Sequence, residues 1–169
     1  ATCLELGQYQ EALSYHLQAL KIREEVGDRN LIANSLNNLG TICFGIREYQ
    51  QALDYLQRSL AIYNVLKNLH GQAAALNNIG GIYRQLEEYN SALNYLQRSL
   101  EVRDAIGDRP GLPHTLNNLG VVYAKLEMYE QTVDCFERAL KIEKEIEDRY
   151  SESLTRYYTA TQLYYVQGR

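Results

Sequence analysis

Asn37, Asn77 and Asn117 stand 40 residues apart, each followed by a second asparagine and then Leu-Gly or Ile-Gly. An asparagine amide carries two N–H donors and a carbonyl acceptor, so it can meet the C=O and N–H of a peptide backbone together. Three such amides in register predict a sequence-tolerant grip on an extended chain. Nothing else is spaced for bond-making chemistry. His16, His70 and His114 form no HxxxH or HExxH pair, which argues against a metal site or a catalytic base. No GxSxG, P-loop or strand-flanked GxGxxG occurs, and Gly80-Gly81 reads as a repeated glycine beside a variable one. Cys3, Cys43 and Cys135 are far apart with no CxxC pair, which predicts free thiols in a reducing compartment, the cytoplasm. Cys43 reads as a small core residue rather than a nucleophile. The expectation is therefore a protein that is not an enzyme, with no catalytic residue, metal or cofactor.

The elements that position the asparagines follow from the same period. Tyr9, Tyr49, Tyr89 and Tyr129 recur every 40 residues, as do Leu20, Leu60, Leu100 and Leu140. Within one period Ala33, Leu36, Leu39, Gly40, Cys43 and Ile46 step by three and four, the apolar stripe of a first helix over about 30–46. Tyr49, Ala52, Leu53, Leu56, Leu60 and Tyr63 mark a second helix over about 48–66. The turn near Arg47-Glu48 is short enough to make the two antiparallel neighbours. Gly27-Asp28 and Gly107-Asp108 predict a glycine closing one helix and an aspartate capping the next. Gly40, Gly80 and Gly120 fall in mid-helix, where glycine costs about 1 kcal/mol against alanine. Their recurrence predicts close approach of the second helix, with Ala12, Ala52 and Ala92 facing them.

The chain has 169 residues, 46% apolar and 22% charged, enough for one globular unit and unlike a disordered or disulfide-framed protein. A net charge of −4 and a pI near 5.4 argue against a nucleic-acid-binding surface. No apolar run approaches the roughly 20 residues of a membrane span, and no signal peptide opens the chain. A first residue of Ala1 reads as a piece of something longer. The period divides it into a partial repeat over 1–27, full repeats over 28–67, 68–107 and 108–147, and a degenerate helix over 148–169. Pro110 and Pro113 should delay the third full first helix to near Leu112 or Pro113. Arg156 stands in the column of Leu36, Leu76 and Leu116, so the last helix reads as a polar cap or a weak joint. Glu24-Glu25 and the acids from Glu143 to Glu147 read as solvated charge on outer helix faces.

Leu36, Leu39-Gly40, Tyr49, Ala52, Leu60, Tyr83 and Tyr123, with their echoes, resemble the tetratricopeptide repeat family over essentially the whole chain. The period exceeds that family's usual 34 residues and lacks its proline, and the "LNNLG" and "GDR" runs are similar to the long repeats of kinesin light chains and Leu-Gly-Asn-repeat adaptors. Cys3 and Cys43 in the Tyr83 column, and Thr132 in the Ala52 column, depart from the pattern. The resemblance implies an all-α, right-handed superhelical solenoid of antiparallel helix pairs. It further implies that first helices line a concave groove, that second helices form the back, and that the groove holds a peptide of a partner.

A second stripe on the first helices would face that groove, and there the repeats disagree. Asn34 becomes Ala74 and His114; Thr41 becomes Gly81 and Val121; Phe44 becomes Arg84 and Ala124; Gly45 becomes Gln85 and Lys125. Asn37, Asn77 and Asn117 alone persist. First helices about 8–10 Å apart would offer one amide to about every third residue of an extended ligand. Asn38, Asn78 and Asn118, on the opposite flank, read as structural. Arg84, Lys125 and His114 without an acid in the stripe predict a partner carrying carboxylates. Most of the 15 tyrosines occupy packing columns, but Tyr157 and Tyr164 fall in the groove stripe and, with Phe44, would wall its ends. The alternative is a structural scaffold that self-associates through apolar surface on its terminal helices.

Overall fold

The computed structural model describes the backbone of residues 3–167 and the side chains of residues 11–161. Eight helices follow one another with no strand among the described residues: α1 (Cys3–Val26), α2 (Arg29–Gly45), α3 (Tyr49–Leu66), α4 (Leu69–Gln85), α5 (Tyr89–Ile106), α6 (Leu112–Lys125), α7 (Tyr129–Glu145) and α8 (Arg149–Gln167). Antiparallel pairs α2/α3, α4/α5 and α6/α7 stack into a right-handed superhelical solenoid. The backbones of successive first helices (α2, α4, α6, α8) pack against one another, whereas those of successive second helices (α3, α5, α7) stand apart, with side chains such as Arg138 and Asp104 reaching across. The second helices are thus splayed on the outside and the first helices form the inner wall.

Local chemistry sets each boundary. Arg47, Glu87 and Glu127 turn left-handed at φ of 60–65°. The next amide then reaches back to a carbonyl five residues earlier, as in Glu48 N–H to Cys43 C=O at 2.9 Å. Gly27 and Gly107 close α1 and α5 at φ of 80° and 65°. Asp28, Asn68, Asp108 and Asp148 then accept from the N–H three residues on, at 3.0–3.2 Å. α6 opens at Leu112 because the two prolines withhold donors from an earlier turn. α1 runs unbroken from Cys3 to Val26.

The mid-helix glycines do mark the closest approaches. A Cβ on Gly40 would lie 2.5 Å from Leu56 Cγ, on Gly80 2.6 Å from Leu96 Cγ, and on Gly120 2.7 Å from Phe136 Cε1. The partner is therefore the residue four beyond Ala52, Ala92 and Thr132, although the Ala52 and Ala92 carbonyls also close in, at 3.2 and 3.3 Å. At each joint between repeats a large inward side chain faces a small residue on the next helix or in its lead-in. Tyr63 lies over Gly71, and Arg103 passes Gly111 to pair with Asp108. Glu143 occupies that same column and is fully buried, which corrects its reading as solvated surface charge. Its column points into the following repeat, as Tyr63 and Arg103 do. Arg156 turns outward to Glu152 at 2.6 Å, while Ser151 and Thr155 take the buried face of α8.

Candidate functional site

The inner wall carries a ladder of amides. Asn78 Nδ2 on α4 donates to Asn37 Oδ1 on α2 at 3.3 Å and lies 3.5 Å from Thr41 Oγ1. Asn118 Nδ2 on α6 repeats the bond to Asn77 Oδ1 on α4 at 3.1 Å. Asn37 and Asn77 are half-buried, and their own Nδ2 groups have no protein partner among the described residues. Each is thus half committed to holding repeats in register and half open.

Asn117 departs from its column. It is 7% exposed, and its Nδ2 donates to Thr155 Oγ1 at 2.6 Å and Glu143 Oε1 at 3.4 Å. The next rung is missing because Tyr158 stands where Asn78 and Asn118 stand, and Tyr158 stacks on Phe136 instead. Asn117 therefore turns inward to the α7–α8 joint and is not offered to the groove, contrary to the sequence expectation. Thr155 also donates to Glu143 Oε1, at 2.7 Å, leaving Glu143 Oε2 and Asn117 Oδ1 buried without partners. Burial raises the Glu143 carboxyl above the usual carboxylate range, more than its bonds to Thr155 and Asn117 lower it.

The variable stripe is uneven. Thr41, Gln85, His114 and Lys125 are exposed and Val121 is half-buried. Asn34 is exposed, but its Oδ1 accepts from the Tyr63 hydroxyl at 2.6 Å, which ties it to packing. Tyr157 is 63% exposed at one end, tilted against Tyr158. The Tyr164 side chain lies outside the described residues. Phe44 is half-buried, leaning on Tyr49 at a centroid distance of 6.0 Å.

One depression of about 90 Å³ gathers several of these residues: Thr41, Phe44, Asn77 and Arg84, with Gly81 and Asn118. A Cβ on Gly81 would meet nothing within 4 Å, so the missing side chain leaves the hollow open. Arg84 is half-buried, and its Nε is enclosed without a hydrogen-bond partner. No carboxylate lines the depression. Asn77 Nδ2 and Arg84 Nε are donors there without a protein partner among the described residues, which suits an anionic acceptor against an aromatic wall, and the Asn78 and Asn118 side-chain carbonyls lie beside them. Sequence reasoning misses Gly81. The legible signal is a lone glycine in a column otherwise holding Thr41 and Val121. No group of histidine, cysteine and acidic side chains suited to a metal ion occurs among the described residues, and none of their helices is long and apolar enough to cross a membrane.

Comparison with known proteins agrees with this architecture. BtubC from P. vanneervenii is 26% identical over 83% of this chain and 59% of its own, with a TM-score of 0.74. A Rap protein crystallised with competence and sporulation factor is 21% identical over 88% of this chain and 42% of its own, with a TM-score of 0.82. The nearly identical TPR-like repeats from Podosopora anserina are 17% identical over 98% of this chain and 82% of their own, with a TM-score of 0.76. The last two share the fold at low identity, and this chain spans less than two thirds of the length of the first two. No curated protein matches the chain. The tetratricopeptide repeat model matches residues 1–64 and 71–145, and with paired helices, close-approach glycines and an inner wall of first helices, this chain belongs to the tetratricopeptide repeat family.

Proposed function

We propose that the chain is a protein-interaction module that holds an extended segment of a partner against the inner wall, with an acidic side chain of that segment seated beside Arg84 over Gly81. The observation that carries this reading is the pair Asn37 and Asn77. Each commits its carbonyl to the ladder and keeps a free amide donor, and Asn77 lines a hollow that lacks acids. The absence of acids beside the half-buried Arg84 guanidinium favours a carboxylate, which the guanidinium can pair bidentately. Thr41, Phe44, Gln85, Val121, Lys125, His114 and Tyr157 extend the surface and vary between repeats, as reading a non-repeating ligand requires. A Rap protein of the same fold that is complexed with competence and sporulation factor supports a binding role. The module works without catalysis or cofactor, in a reducing compartment such as the cytoplasm.

Phage display of random peptides against the wild-type chain tests it. Aspartate or glutamate should be enriched at one position, and Arg84→Glu should remove that enrichment. Asn37→Ala with Asn77→Ala should weaken the selected peptides at least about tenfold, the loss of two hydrogen bonds. Undiminished binding by both variants would falsify the groove reading. A second reading, a scaffold that stacks end to end, is favoured by the apolar surface of the outer helices, including Ile22 at 60% and Val26 at 73% exposure. Light scattering across a concentration series separates the two, since a strict monomer excludes the scaffold.

A further inference from the structure

The second repeat gathers two tyrosine rings and a guanidinium on its outer side. Tyr83 on α4 stacks on Tyr95 on α5, with centroids 5.4 Å apart and planes 14° from parallel. The Arg98 guanidinium lies over the Tyr95 ring, 5.6 Å from its centroid. One repeat later the first ring and the guanidinium are present and the second ring is missing. Tyr123 replaces Tyr83 and Arg138 replaces Arg98, but Cys135 stands in place of Tyr95. A hollow of about 380 Å³ opens there, in the cleft between the splayed helices α5 and α7. Leu100, Leu119, Tyr123 and Cys135 line it together with the polar side chains of Glu130, Gln131, Asp134 and Arg138.

The first repeat makes the same exchange from the opposite side. Cys43 stands in place of Tyr83, Tyr55 keeps its ring under Arg58 at 5.9 Å, and a hollow of about 310 Å³ lies beside it. In the third repeat the surviving ring is held ready. The Tyr123 hydroxyl accepts from Gln97 Nε2 at 3.1 Å, and Tyr123 has no ring partner among the described residues. Arg138 is steadied by Asp134 at 3.5 Å and Asp104 at 3.9 Å.

We propose that the cleft between α5 and α7 is a second binding site, which receives a tyrosine side chain from a partner chain as the missing second ring beside Tyr123 and Arg138. The occupant is set by the molecule's own example. The equivalent space in the second repeat is filled by a phenol ring that stacks on Tyr83 and has the Arg98 guanidinium over it. In the third repeat Tyr123 has no ring to stack on among the described residues, and a planar ring in the hollow restores that contact while lying beside the Arg138 guanidinium, which Asp134 and Asp104 hold at the hollow. The site faces away from the inner wall and does not depend on the groove reading.

The probe is 4-methylphenol, the tyrosine side chain itself, titrated into the wild-type chain and followed by NMR. It should shift resonances of Tyr123, Leu119 and Leu100, and it should bind about three- to tenfold tighter than 4-methylcyclohexanol, which has the same outline but no ring face to stack. Cys135→Tyr should fill the hollow, raise the melting temperature and abolish 4-methylphenol binding. Tyr123→Leu should weaken binding while keeping the helices folded, and Asn37→Ala with Asn77→Ala should leave it unchanged. Absence of shifts at Tyr123 in the wild-type chain, equal binding of the saturated analogue, or undiminished binding by Cys135→Tyr would each overturn the proposal.

Discussion

Asn118 Nδ2 donates to Asn77 Oδ1 at 3.1 Å, carrying the inner wall from α6 to α4. Both residues belong to the same repeated Asn-Asn pair, one serving as rung donor to the previous repeat and the other as acceptor from the next. Stability and recognition should therefore separate by residue. Asn118→Ala removes a rung and should cost about 0.5–1.5 kcal/mol with little direct loss of a groove ligand. Asn77→Ala should cost a similar amount of stability and also weaken that ligand. A double-mutant cycle of the two in urea should return a coupling of about 0.5–1 kcal/mol, and additivity would show that the rung is energetically idle.

Gly80 and Gly81 are adjacent on α4, yet alanine should have opposite effects at the two positions. At Gly80 the new methyl would meet Leu96 Cγ at 2.6 Å and the Ala92 carbonyl at 3.3 Å, so α4 and α5 must part. Overpacking of this kind costs about 1–3 kcal/mol, more than the helix propensity gained. At Gly81 the methyl would meet nothing, and the helix should gain about 0.5–1 kcal/mol. Thermal melts of the two variants side by side check the sign. Gly81→Val, the residue of the Val121 column, should also narrow the hollow and weaken acidic peptides.

The solenoid and its turns were legible because each packing contact recurs at one period, so Leu36, Leu76 and Leu116 or Gly40, Gly80 and Gly120 announce themselves as columns. The site was less legible, because its behaviour turns on where columns break. Asn117 looks identical to Asn37 and Asn77 until its rung partner is seen to be Tyr158. Glu143 carries no apolar signal, since its column holds Arg23, Tyr63 and Arg103. Only the glycines at 71 and 111 hint that this column points inward. Reading Cys135 for its thiol alone misses that it vacates a tyrosine position.

The two buried thiols should react slowly. Cys43 is fully buried, and burial followed by the nearby Glu48 charge raises its pKa. Burial pushes the Cys135 thiol up to about 11, with Asp134 adding to it and Arg138 opposing. The nucleophile is the thiolate, so at pH 8 only about one Cys135 in a thousand is reactive even where reagent can enter. Labelling with an aromatic disulfide should proceed far more slowly in buffer than in 6 M guanidinium. Rapid native labelling at Cys135 would mean that the outer cleft opens wider than its static lining implies.

Glu143 makes the last joint sensitive to pH. Its pKa is raised in the folded chain, chiefly by burial, so the fold binds this proton more tightly than the unfolded chain does. By linkage its contribution to stability is complete below the ordinary glutamate range and is lost as pH rises through the raised value. A carboxylate there also leaves Oε2 as an acceptor facing no donor, while Asn117 Oδ1 is equally unpartnered. Glu143→Gln keeps the shape, removes the charge and supplies an N–H₂ in place of one oxygen. It should stabilise the α6–α7–α8 joint at pH 7 by about 1–3 kcal/mol, the cost of an unsatisfied buried group, and the gain should shrink toward zero near pH 4. Asp148, whose pKa is lowered by its bonds to Ser151, works in the opposite sense, losing its cap as pH falls below its own range. Hydrogen exchange at the Ser151 to Thr155 amides, measured for wild-type and Glu143→Gln chains from pH 4 to 8 and corrected for intrinsic rates, separates the two. A wild-type joint whose protection is flat across that range, and unchanged by the glutamine, would mean that Glu143 stays ionised and finds its missing partner in solvent.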